Sequence, residues 1–190
     1  MVKIRVIERI WNYIHYFIYV FEVNASKVIA YPIALLFDLF YKIPFIESWL
    51  KKKNSSAQEI RSARNNAINN RIYGQNITIA GIQMGGLLVL IEYGLFNIFQ
   101  ATLGKPLIQY VWLGGNYYKW LFVATMLIIP YIINNQLLWK NDKYLKYFEE
   151  FDKEPKQLKR KWIWISFGII VGIFGFFVLS FLILTNVLKK

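Results

Sequence analysis

Few residues in this chain can do chemistry, and the most conspicuous of them is Glu92. It sits inside Ile77–Ala101, ITIAGIQMGGLLVLIEYGLFNIFQA, a run of nearly unbroken apolar side chains. As a helix, that run is long enough to cross a bilayer core of ~30 Å. A carboxyl group at such depth is costly and is normally paired, protonated or turned toward water. There it can bind a cation, relay a proton or gate a pore. The plain structural reading is a hydrogen bond to a neighbouring helix, or an ion pair with Lys105 or Lys119. Positions 81, 85, 88 and 92 share one helix face, which places Glu92 beside Gly81 and Gly85 and directs it at protein. Asp38 is a second ionisable group in an apolar run, but Lys42 lies one helical turn away and offers an internal ion pair.

Other residue groups suggest contact rather than catalysis. Gly81-x-x-x-Gly85 and Gly168-x-x-x-Gly172 are small-residue faces that let helix backbones approach closely in lipid, within one subunit or between subunits. Arg61, Arg64 and Arg71 lie among asparagines, and both types donate well to phosphates and bases. No interleaved aromatics or glycine-rich phosphate loop accompany them, so a solvated connecting helix competes with a soluble protein or nucleic-acid partner. Lys159, Arg160 and Lys161 suit anionic headgroups, at ~1 kcal/mol per basic residue near the surface.

Enzyme machinery is not visible: there is no HExxH, GxSxG, acidic metal box or Walker loop. The absence of cysteine excludes thiol catalysis and cysteine metal sites, and a single histidine, His15, excludes bis-histidine haem within one chain. Neither a metal nor another cofactor is expected, and the chain is read as non-enzymatic.

Composition sets the frame that positions these residues. Of 190 residues 56% are hydrophobic and 18% aromatic, and the formal net charge is +12. The apolar excess is gathered in blocks, as membrane spans require. Positive charge sits between the blocks, as the positive-inside rule and anionic lipid predict. Ile4–Glu22 is amphipathic. Ile7, Trp11, Ile14 and Ile18 recur on one face, with Glu8, Arg9, Asn12, His15 and Tyr16 opposite. It reads as a helix lying in the interface, or as one whose polar stripe lines water in an oligomer. Asn24–Lys27 reads as a polar break with Ser26 as N-cap, followed by a span over 28–46 that ends near Pro44. Ser56 and Glu59 have capping-box spacing, which predicts a helix from about Ala57 to about Tyr73, closed by Gly74. Further spans are expected at 77–101, 120–138 and 163–188. Between 140 and 161 a short amphipathic helix, broken by Pro155, is expected to lie on the membrane.

The predicted fold is therefore an all-α, polytopic helical membrane protein, one domain over 1–190. It has about four transmembrane helices, an N-terminal amphipathic helix and a cytoplasmic connecting helix. Residues 51–75 carry six Lys or Arg, residues 140–161 eight and residues 102–117 one, so the first two segments should be cytoplasmic and the third external. With 28–46 spanning, Lys3, Arg5 and Arg9 fall outside, against the same rule; with 4–22 spanning as well, a fifth span, the N-terminus falls inside. The expected residence is a bacterial inner membrane, with anionic lipid as partner. The expected function is to oligomerise as a small pore or to serve as accessory subunit of a membrane complex. Two alternatives stand beside it: a regulatory effector signalled by a soluble partner, as in bacterial defence, and a channel or transporter protomer using Glu92.

Overall fold

The structure is a computed structural model that describes the backbone of residues 2–53 and 55–189, with all side chains of that set except those of residues 2–5, 30 and 38. Every regular element among the described residues is a helix. The chain divides into two compact units, one of Met1–Tyr16 with Gln83–Lys190 and one of Phe17–Ile82, each described by itself below.

Helix α1 (Val2–Phe40) is continuous through the break expected at Asn24–Lys27. Ser26 sits in mid-helix instead of capping a new one, and its hydroxyl donates to the Val23 carbonyl at 3.0 Å. A serine can make that bond without leaving the helix. The direction changes later, by 44° between Val6–Ile29 and Tyr31–Phe37. Pro32 stands there; it has no N–H to give and crowds the carbonyl four residues back. The span expected over 28–46 is not one helix either. Ile43 is extended, with φ −67 and ψ 124, as a residue before proline prefers, and Pro44 opens α2 (Pro44–Lys52). The Asp38 side chain lies outside the described residues, and with it the expected pairing to Lys42.

In the unit Phe17–Ile82, α3 (Ala57–Asn69) starts with the expected capping box. Glu59 N–H donates to Ser56 Oγ at 3.1 Å, and Ser56 N–H to Glu59 Oε2 at 2.9 Å. The helix stops short of Tyr73 because Asn70 Oδ1 takes the N–H groups of Ile72 and Tyr73, at 2.7 and 3.1 Å, and holds a turn. Gly74 completes that turn: a Cβ there would lie 2.4 Å from the Asn70 carbonyl oxygen.

The remaining elements are α4 (Gln75–Leu103), α5 (Leu107–Leu113), α6 (Asn116–Asn134), α7 (Lys143–Lys153) and α8 (Lys156–Leu188). Three stretches, Gln75–Leu103, Asn116–Lys153 and Lys156–Leu188, are long and apolar enough to cross a membrane, and the bent pair in α1 would make a fourth. The expected 120–138 span ends early as an α-helix. Asn135–Trp139 forms a π-turn and Lys140–Asp142 a 3₁₀ turn, with Asn141 and Asp142 left-handed at φ 60 and 54. Asn and Asp are the non-glycine residues that tolerate this best. Lys156–Lys161, ahead of the span expected over 163–188, forms the opening turns of α8. The apolar side of α7 is covered by α1 rather than left for lipid: the rings of Tyr13 and Phe151 stack at 3.6 Å.

Candidate functional site

The segment Glu8–Tyr16 of α1 meets the end of α6, the π-turn and α7, side chain by side chain. Trp11 Nε1 donates to Asn134 Oδ1 at 2.9 Å, within a buried contact. Asn12 Nδ2 donates to the Leu137 carbonyl at 3.0 Å. Glu8 accepts from Lys143 Nζ at 2.7 Å and from the Tyr147 hydroxyl at 3.2 Å. Arg9 reaches both Glu150 and Glu154, each at 2.9 Å, and the Tyr16 hydroxyl donates to Asp152 at 2.6 Å. His15 is fully buried among Trp139, Tyr144 and Phe148, and neither ring nitrogen has a hydrogen-bond partner. Tyr13 stacks on Trp162 at 4.6 Å, which brings the start of α8 into the same junction. The segment Glu8–Tyr16 thus contacts protein along its length as an ionic and aromatic clasp, within which Asn12 Oδ1, the Tyr13 hydroxyl and both His15 nitrogens are buried without a hydrogen-bond partner.

Glycine contacts divide differently from the sequence pattern. A Cβ at Gly85 would lie 3.8 Å from Asn134 Nδ2, an ordinary contact with α6, while one at Gly168, Gly172 or Gly175 would meet nothing within 4 Å. Gly81 is half-buried on α4. The tightest approach is at Gly94, where a Cβ would fall 2.5 Å from the Phe176 ring. Spacing did not mark Gly94, because no second glycine stands four residues from it on α4. Also missed is a buried polar contact: Asn97 Nδ2 donates to Ser180 Oγ at 3.1 Å, and Gln100 Oε1 takes the Ile108 N–H at 2.8 Å. The available signal was an Asn and a Gln three apart in an apolar helix, which must find partners when water is excluded.

Glu92 is half-buried and lines an open groove of ≈ 400 Å³ between α4, α5 and α6, beside Phe96, Tyr118, Phe122 and Met126. Its Oε2 is buried without a hydrogen-bond partner. Lys119, one expected partner, instead lies over the Trp112 ring at 5.7 Å. An apolar groove with one unmatched carboxyl oxygen can accept a proton, or a hydrogen bond from a cationic or hydroxylated apolar ligand.

In the other unit Arg61 and Arg71 are partly buried and engaged within the chain, Arg71 standing 6.0 Å over the Tyr19 ring. An amide knot fixes the base of α3: Asn76 Nδ2 donates to Asn69 Oδ1 at 2.9 Å and to Ser26 Oγ at 3.0 Å, and the Tyr19 hydroxyl donates to the Asn69 carbonyl at 3.0 Å. Arg64 lines a groove with Lys27. At the start of α8, Lys159 Nζ donates to the Asp152 carbonyl at 2.8 Å, while Arg160 and Lys161 are exposed. Among the described residues no cluster of three His, Cys, Asp or Glu could hold a metal ion. No protein-family model, curated protein sequence or solved structure matches this chain.

Proposed function

We propose that this chain is a non-enzymatic integral membrane protein, built on the spans α4, α6 and α8, that assembles with copies of itself through the glycine row of α8. The observation that carries the reading is the uncovered row itself. Gly168, Gly172 and Gly175 follow one helix face, and beyond the adjoining backbone of α8 itself no atom among the described residues comes within 4 Å of their Cβ positions. Glycine in a helix interior costs ~1 kcal/mol relative to alanine. No contact among the described residues offsets that cost, whereas a second helix approaching closely would.

The clasp supports an arrangement of three spans. Helix α7, KYLKYFEEFDK, is too charged for a bilayer core. The segment Glu8–Tyr16 lies against it and therefore belongs at the same interfacial level, outside the membrane-spanning helices. Lys3, Arg5 and Arg9 then share the side of the basic 140–161 segment, as the positive-inside rule asks. Glu8, Arg9, Asn12 and Tyr16 bond to the π-turn, to α7 and to Glu154, and His15 is buried, which favours an assembling or accessory role over a pore lined by α1.

The test is the mass of the purified full-length chain in mild detergents, by light scattering and by cross-linking in native membranes. Wild type is expected to run as a defined multimer, and Gly172→Leu to shift it toward monomer while leaving expression and helicity intact. A wild-type monomer in several mild detergents, without a copurifying partner, would overturn the proposal.

A further inference from the structure

Within the unit Phe17–Ile82, a polar groove runs between α3 and the stretch of α1 from Ser26 to Ala34, and we infer that it holds the headgroup of an anionic phospholipid carrying free hydroxyls, of the phosphatidylglycerol kind. This rests on the membrane residence proposed above. Two adjoining hollows of ≈ 260 and ≈ 580 Å³ share Lys27, Asn65 and Asn69 in their walls. Asn66 donates to the Tyr73 hydroxyl, Asn69 Oδ1 accepts from Asn76, and Asn70 bonds to Asn66 and to the turn that follows. What remains is Lys27, Arg64, Ser62 and Asn65, none of which makes a side-chain hydrogen bond or ion pair among the described residues.

These four groups define the ligand chemistry. Among the described residues no carboxylate lines either hollow, and the two cations Lys27 and Arg64 call for an anion. A guanidinium matches the oxygens of a phosphodiester in paired fashion, and an ammonium adds a point charge. Ser62 and Asn65 both donate and accept, which suits hydroxyl groups and gives no advantage to a trimethylammonium. Tyr31, Ala34 and Ile68 add an apolar wall to the smaller hollow. On the flanks of α1 beside this hollow Val28 and Ile33 are exposed, a surface on which acyl chains can lie. A soluble phosphate ester would leave that surface unused, so the lipid is the occupant.

The experiment is native mass spectrometry of the full chain in detergent micelles with added phosphatidylglycerol, phosphatidylcholine or soluble glycerophosphoglycerol. Phosphatidylglycerol adducts are expected to exceed phosphatidylcholine adducts about tenfold, and to fall about tenfold in the double variant Lys27→Gln/Arg64→Gln. They should persist in the charge-matched control Lys146→Gln/Lys153→Gln and in Lys27→Arg/Arg64→Lys. An equal fall in the control would mean diffuse attraction and overturn the site. Equal binding of phosphatidylcholine, or glycerophosphoglycerol binding as tightly as the lipid, would overturn it as well. Alkaline extraction of wild type from membranes separates the two levels. Extracted protein defeats the membrane reading, whereas retained protein with no lipid preference defeats only the groove.

Discussion

One methyl group distinguishes two kinds of glycine in α4. At Gly94 it would be driven to 2.5 Å from the Phe176 ring, and at Gly86 it would meet nothing within 4 Å. Overpacking a tight contact costs ~1–3 kcal/mol, whereas alanine in an open helix position gains up to ~1 kcal/mol of propensity. Gly94→Ala should therefore lower the thermal midpoint in detergent, and Gly86→Ala should hold or raise it, both followed by intrinsic fluorescence. A Gly94→Ala variant that melts with wild type would show that α4 and α8 have room for the added methyl. The pair also shows what spacing can and cannot reveal. A glycine motif reports that a helix could come close along a face. Whether one does depends on the partner's side chain, here a phenylalanine 82 positions away in the sequence.

At the level of elements, the docking of α1 on α7 depends on residues more than 130 positions apart. Glu154 is 9% exposed and Glu150 48%, yet the same Arg9 serves both. Removing the cation strands the nearly buried carboxylate, so Arg9→Ala should cost ~1–3 kcal/mol, while Glu150→Ala should cost under ~1 kcal/mol. The double variant Arg9→Ala/Glu154→Ala should then be more stable than the sum of its singles, measured as a double-mutant cycle by denaturant unfolding in micelles. Strict additivity would show that the clasp carries no coupling. The same distance in sequence explains which elements were legible. The α3 start was readable because Ser56 and Glu59 carry their whole argument within four residues. The three strongly apolar stretches were readable from composition. The clasp was not: the amphipathic pattern of Ile4–Glu22 shows two faces but not which of them another helix will cover. Nor could Pro32 and Pro44 be weighed locally, since one bends a helix that continues and the other begins a new one.

For the molecule as a whole, the number of spans decides where every site lies, and the chain is suited to measuring it because it contains no cysteine. A single introduced thiol is then the only target of a membrane-impermeant maleimide. Three schemes disagree at Asn24, an exposed position in mid-α1. If α1 lies along the cytoplasmic face and only α4, α6 and α8 cross, Asn24→Cys is shielded in intact cells and labelled after lysis. If residues 28–46 cross as well, or if 4–22 crosses in addition, position 24 is external and labels at once. Controls follow from the charge count. Gln109→Cys, in the segment with one basic residue, should label from outside, and Asn141→Cys, in the segment with eight, should not. The clasp argues for shielding at Asn24, because α7 cannot enter the bilayer core and holds Glu8–Tyr16 beside it. Labelling of Asn24→Cys in intact cells, with both controls behaving, would move the N-terminal half of α1 across the membrane. It would also remove the cytoplasmic placement on which the three-span reading depends.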